Sequence, residues 1–301
     1  MMRDTMRRQF QAKPGIVAAL DQSGGSTPDA LRRYGVPEAA LVDEPHMFDL
    51  IHAMRRRIIT APAFTGDKVM GAILFRNTLE REIEGLNTAR FLWRQRGIVP
   101  FLKVDQGLLP EQAGVRLMKP IAGLDETLAW AASLDVFGTK ARSVIRLPER
   151  DGIEAIVDQQ LDCARRIAAH GLAPILEPEV LIDSPAKHEA EQLLRDVLLA
   201  KLEEATGEYP LIFKLTLPEE PDLYRDLVDH PRVMRVLALS GGYDRPVAVA
   251  RLARNAGMIA SFSRALIGDL RISMIDEAFS TKLEETIDAL YDASTIKATL
   301  A

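Results

Sequence analysis

The sequence predicts an α/β fold of the (β/α)8 TIM barrel class. Three observations carry that reading. Eight strand-like apolar runs alternate with helical patterns. The 301-residue chain is a little longer than typical for the fold. Charged residues recur at or near the C-terminal ends of the runs, where barrel enzymes hold their chemistry. An open doubly wound sheet is the competitor. Neither G-x-G-x-x-G nor G-x-x-x-x-G-K-S/T occurs, so a nucleotide-binding version has no support. No repeat, low-complexity linker or boundary interrupts the pattern, and residues 1–301 are expected to form one barrel domain.

The basic N-terminal stretch lacks an apolar signal core and is expected to be a surface helix. Residues 15–21 (G-I-V-A-A-L-D) form the first strand, which breaks into Gln22-Ser23-Gly24-Gly25-Ser26. A helix follows at 45–60, the second strand at 69–75, and a helix at 79–96 stopped by Gly97. The third strand is 99–105, followed by irregular chain at 106–120 and a short helix at 126–134. The fourth strand lies within 136–147. Asp151 and Glu154 have the spacing of a capping box. The helix they open carries Ile153, Ile156, Val157, Leu161, Ala164, Ile167 and Ala168 at helical spacing and stops at Gly171. The fifth strand is 173–181. Ser184-Pro185 opens a long helix with Gly207 as its stop. The sixth strand lies in 209–218, Y-P-L-I-F-K-L-T-L-P. A helix at 222–230 and a seventh strand at 235–239 lead into Ser240-Gly241-Gly242. Asp244-x-Pro246 opens a helix ended by Gly257, and 258–262 is the eighth strand. Thr281 and Glu284 have capping-box spacing for the last helix.

Net charge of -5 offers no electrostatic footprint for nucleic acid or an acidic membrane surface. No apolar run approaches the roughly 20 residues of a membrane span. The single cysteine, Cys163, excludes an internal disulfide and reads as a small core residue. A soluble, cytoplasmic protein is expected. The five histidines fall in helical or helix-end stretches with no H-x-x-x-H pair, so neither a metal nor another cofactor is expected.

Lys214 interrupts the apolar run bracketed by Pro210 and Pro218. A buried cation is costly, so it is either paired with a carboxylate or held partly neutral to attack a carbonyl and form a Schiff base. The other strands weigh on that choice. Asp21, Lys103 with Asp105, Lys140 with Arg142, and Glu177 with Glu179 stand near strand ends. Within each pair the spacing of two puts both side chains on one face. Apolar layers normally fill such barrels, so charges converging from five strands point to function. Phosphate seats are the second signal. Ser240-Gly241-Gly242 and Arg264 follow strands seven and eight, where backbone N–H groups and an arginine commonly hold a phosphate. Ser23 to Ser26, after strand one, offer another set of donors, which suggests a substrate with two anionic ends.

Taken together, G-I-V-A-A-L-D-Q-S-G-G-S (15–26), F-L-K-V-D-Q-G (101–107), F-G-T-K-A-R (137–142), I-L-E-P-E (175–179), F-K-L (213–215), L-S-G-G (239–242) and S-F-S-R-A-L (261–266) form an ordered series. The series resembles class I fructose-1,6-bisphosphate aldolase in its shorter bacterial form. The resemblance implies a metal-independent lyase of glycolysis and gluconeogenesis acting on a sugar bisphosphate. It implies that Lys214 attacks the C2 ketone, Glu177 helps expel water from the carbinolamine, and Asp21 assists C3–C4 cleavage. Lys140 stands beside the Schiff base with Glu179 as its neighbour. Arg142 and Lys103 line the sugar-phosphate path. Ser240, Gly241, Gly242 and Arg264 match the 1-phosphate seat, and Ser23, Ser26 and Lys103 the 6-phosphate region. The animal and plant branch has D-E-S-T-G-S where this chain has D-Q-S-G-G-S. Another Schiff-base barrel aldolase, a transaldolase, or a non-catalytic sugar-phosphate-binding protein are the alternatives. A homo-oligomer is compatible with the sequence.

Overall fold

The structure, a computed structural model, describes residues 2–204 and 209–298. Eight parallel strands pair in chain order: β1 (Ile16–Leu20), β2 (Val69–Leu74), β3 (Val99–Lys103), β4 (Gly138–Ile145), β5 (Ala173–Val180), β6 (Leu211–Thr216), β7 (Val233–Leu239) and β8 (Met258–Ala260). β8 comes back beside β1, where the Ala19 N–H donates to the Phe262 carbonyl at 3.4 Å. The sheet is thus a nearly closed barrel wrapped by helices, as the alternation of elements dictates. All eight predicted strands are present, with ends shifted by a few residues.

Along each strand, inward side chains recur every second residue. That parity divides the barrel into two ends. Val17, Met70, Val99, Phe101, Ile175, Ile212, Leu237 and Ile259 build an apolar layer toward the N-terminal end. One two-residue step further along β3, β5 and β6 come Lys103, Glu177 and Lys214.

The N-terminal helix, Met2–Ala12, corrects one expectation: it is not a surface helix. Met6 and Phe10, four residues apart and so on one helical face, are fully buried in the apolar layer. Phe10 lies 5.0 Å from the Phe101 ring and 6.1 Å from Phe137. Arg235 of β7 fixes the helix end by donating to the carbonyls of Phe10 at 3.0 Å and Lys13 at 2.8 Å. The helix plugs the barrel floor. Close packing there needs Gly138, since a methyl group on it would stand 2.2 Å from the Ala173 carbonyl oxygen and 2.9 Å from the Phe101 ring.

Other differences are local. The helix expected at 79–96 splits into Arg76–Leu79 and Thr88–Arg96 around a two-stranded hairpin, Glu82–Ile83 with Leu86–Asn87. Its turn residues, Glu84 (φ 52°) and Gly85 (φ 75°), are left-handed, as a tight hairpin demands. Asn87 then caps the second piece by accepting from the Ala89 N–H at 3.0 Å. Asp151 is not a cap: the helix runs Arg150–Ala169, with Asp151 in its first turn. Its start is set by packing, because a methyl group on Gly152 would meet the Ala113 carbonyl at 2.2 Å. The last helix, Asp276–Thr295, begins more than a turn before Thr281. Arg57 secures that entry with a 2.9 Å bond to Asp276. The helix expected at 222–230 shrinks to Arg225–Val228, since Asp222 takes a left-handed φ of 60°. Gly207, the expected stop of helix Lys187–Glu204, lies outside the described residues.

Candidate active site

The barrel mouth opens into a cavity of about 820 Å³. Asp21, Ser23, Ser26, Lys103, Lys140, Arg142, Glu177, Glu179, Lys214, Ser240, Gly241 and Arg264 all line it. Gly242 is the one predicted residue that does not. It backs the site instead: its left-handed φ of 132° leaves space for the Arg264 guanidinium, which would lie 3.3 Å from a methyl group placed there.

Three barrel strands and the end of β1 supply one chain of ion pairs. Lys214 Nζ is 2.9 Å from Glu177 Oε1. The other Glu177 oxygen pairs with Lys140, whose Nζ donates to Asp21 Oδ2 at 3.0 Å. Lys214, Glu177 and Lys140 are 4 %, 3 % and 3 % exposed, so water screens these charges little. Register explains the meeting. Arg142 stands opposite Glu177 across β4 and β5, and Lys214 stands two residues beyond Ile212, the partner of Ile175. Around this chain, Lys103 donates to Asp105 Oδ1 at 2.8 Å, and Arg142 pairs with Glu179. Glu179 therefore neighbours Arg142, not Lys140 as expected; its position two residues beyond Glu177 carries it one layer higher.

The electrostatics follow from burial opposed by neighbours. Burial pushes the Asp21 carboxyl up, but Lys140, Lys214 and Lys103 together outweigh it and hold it well below the usual carboxylate range. Burial likewise raises Glu177, and Lys140 and Lys214 bring it below its ordinary value. Lys140 loses to burial and gains more from Asp21 and Glu177, so it stays a cation. Cys163 is buried and its thiol is pushed up to about 11 by burial, in keeping with a core role. Among the described residues, no group of three or more His, Cys, Asp or Glu side chains could hold a metal ion.

Sequence reasoning missed several contributors. Phe75, Ser261 and Ser263 line the cavity, and Gln22 sits in its wall. Behind Gln22 lies Arg55, fully buried. Arg55 belongs to the run Arg55-Arg56-Arg57, which reads as a surface patch. Only helical phase marks it: Ile51, Met54, Ile58 and Ile59 share its buried face.

Fold and site together define the class: a (β/α)8 barrel enzyme with a buried lysine at the strand C-termini. Comparison with known proteins then gives the family. The family model for fructose-bisphosphate aldolase class-I matches residues 15–217. A class 1 fructose-bisphosphate aldolase of Porphyromonas gingivalis is 50% identical over 287 residues, covering 95% of this chain and 97% of that protein. One from Synechocystis is 49% identical over 287 residues, covering 95% and 96%. A solved structure of fructose-bisphosphate aldolase from Plasmodium falciparum, in complex with TRAP and an inhibitor, superposes with a TM-score of 0.80. At 20% identity over 100% of this chain and 96% of that one, it shares the fold. The chain belongs to the class I fructose-bisphosphate aldolase family.

Proposed function

We propose that the chain, acting as one barrel domain, catalyses the reversible aldol cleavage of fructose 1,6-bisphosphate to dihydroxyacetone phosphate and glyceraldehyde 3-phosphate, through a Schiff base on Lys214. The observation that carries this reading is the 2.9 Å contact between Lys214 Nζ and Glu177 Oε1 inside a cavity walled by phosphate-binding groups.

The pair is one proton transfer from reactive. Moving a proton from Lys214 to Glu177 yields a neutral amine and a carboxylic acid at once. The amine attacks the C2 ketone and forms a carbinolamine. Glu177 returns the proton to its hydroxyl, water departs, and an iminium remains. Asp21, ionised because three lysines surround it, accepts the hydrogen bond of the C4 hydroxyl and draws its proton as C3–C4 breaks. The bond electrons pass to C3 and into the iminium, giving an enamine. The aldehyde leaves, the proton taken up by Asp21 passes to C3 and restores the carboxylate, and water attack on C2 frees the second product and the amine. Lys140 touches both Asp21 and Glu177 and keeps their negative charges apart while protons move.

The phosphates have distinct seats. Gly241, left-handed at φ 62°, lets the backbone after β7 approach one phosphate, and Arg264, which makes no ion pair among the described residues, grips it. Ser23 and Ser26 with Lys103 serve the other. Borohydride reduction with dihydroxyacetone phosphate, followed by peptide mapping, tests the assignment. The adduct is expected on Lys214, and an adduct found only on another lysine overturns it.

A further inference from the structure

Arg55 sits outside this chemistry. It is fully buried on helix Glu44–Thr60 and makes no ion pair among the described residues. Its Nη1 donates to Thr78 Oγ1 at 2.7 Å. Its Nη2 donates to the Gln22 backbone carbonyl at 2.6 Å and to Gln22 Oε1 at 3.2 Å. Burial draws its pKa down to about 10, against the pull of the Asp21 carboxylate. A buried cation held only by neutral acceptors is an expensive arrangement.

Its effect is to orient Gln22. A guanidinium only donates, so the Gln22 side chain must turn its oxygen toward Arg55 and its amide nitrogen away. That nitrogen donates to Ser263 Oγ at 2.6 Å. Having accepted this bond, the Ser263 hydroxyl keeps its own proton, which no protein group accepts among the described residues. Ser263 lines the cavity next to Arg264. Its proton is therefore free for an acceptor inside the cavity.

We propose that Arg55 and Gln22 are positioning residues, a one-way hydrogen-bond relay that fixes Ser263 as a donor to a phosphoryl oxygen of the ligand gripped by Arg264. The relay also ties the loop after β1 to the loop after β8, across the seam where the barrel closes. Glutamate at position 22 would reverse it. Both carboxylate oxygens accept, so one would pair with Arg55 and the other would take the Ser263 proton. This inference rests on the sugar-bisphosphate reading of the cavity.

The test compares Gln22→Glu, Gln22→Met and Ser263→Ala in the full chain. It follows kcat and KM for fructose 1,6-bisphosphate, the Kd of inorganic phosphate, and Tm. Gln22→Glu is expected to raise Tm, because Arg55 gains a counter-charge, yet to raise KM about tenfold, the loss of one hydrogen bond to a charged acceptor. The KM change should exceed any change in kcat. Ser263→Ala should raise KM by a similar factor, and the double variant should add little to either single one. A merely structural role for Gln22 instead lowers Tm as KM rises, and that outcome overturns the relay. An unchanged KM in Gln22→Glu, or multiplying effects in the double variant, overturns the relay. If Gln22→Glu does not fold, Gln22→Met carries the test: it removes the donor to Ser263 and should weaken phosphate binding, while unaltered binding refutes the proposal. Wild-type chain that binds phosphate but does not cleave the bisphosphate would sink the catalytic reading alone, and the phosphate Kd series would still decide the relay.

Discussion

The two ends of the barrel are built on the same strands and obey opposite rules. Toward the floor, Phe101, Ile175 and Ile212 close on Met6 and Phe10 with no charge among them. Two residues further along, the same strands present Lys103, Glu177 and Lys214, all paired. The floor is a dispersion-packed plug that specifies where each strand sits. The mouth buries charges that gain little net stability, since desolvation offsets their attraction. Stability is therefore concentrated at one end and reactivity at the other, and each end should respond to mutation in its own currency.

The largest expected effect breaks the mouth and spares the floor. Lys214→Met should lower kcat by roughly 10⁴-fold or more and abolish borohydride trapping. Its chemical unfolding midpoint should stay near wild type. A variant with full turnover would falsify the covalent step. The converse experiment is Phe10→Ala. Removing the plug's ring should cost about 3–5 kcal/mol in denaturant unfolding, with kcat of the folded fraction within a few-fold of wild type. A catalytic loss larger than the stability loss would mean that the ends are not separable. Gly138→Ala asks a finer question, because position 138 lies one inward step below Lys140. A methyl group there must displace the Ala173 carbonyl or the Phe101 ring, at a cost of about 1–3 kcal/mol. A drop in kcat is also expected as β4 shifts Lys140.

The smallest effect is the pH profile. Asp21 and Glu177 are held below their ordinary values of 3.8 and 4.5. The stability they contribute is present above those values and drains as pH falls below them. Lys140 is held above 10.5, so its contribution is present below that value and drains only as pH rises past it. These groups therefore leave a plateau from about pH 5 to pH 10. Asp21→Asn should make the acid limb in urea unfolding measured across pH shallower, leaving the share of Glu177. Phe10→Ala should lower the whole curve and leave its shape unchanged. An acid limb left unchanged by Asp21→Asn would place the titration elsewhere.

Much of the mouth was legible in the sequence because charge inside an apolar run is rare and strand parity is strict. Lys214, Glu177 and Lys140 could be placed from spacing, and the family resemblance supplied their roles. The floor was less legible. Met6 and Phe10 are two apolar residues in a basic stretch, and nothing local says that a barrel bottom lacks its cover. Arg55 was hidden for the reverse reason: its neighbours Arg56 and Arg57 are cations that do reach the surface side of the helix, and composition masks phase. Asp151 shows the limit of local rules. Its spacing to Glu154 suits a cap, but the approach of Gly152 to the Ala113 carbonyl decides where the helix starts.

The floor plug has one more consequence, for the order of assembly. Residues 2–12 emerge from the ribosome before any strand, yet Phe10 needs Phe101 and Phe137, and its carbonyl needs Arg235, 225 positions later. Contacts so distant in the chain close late and slow the approach to the native state. The segment made before any strand is thus the one seated last. Until β7 arrives, its two apolar side chains remain available to whatever else they meet, and a chaperone that shelters this short helix during synthesis would act at the step most exposed to error.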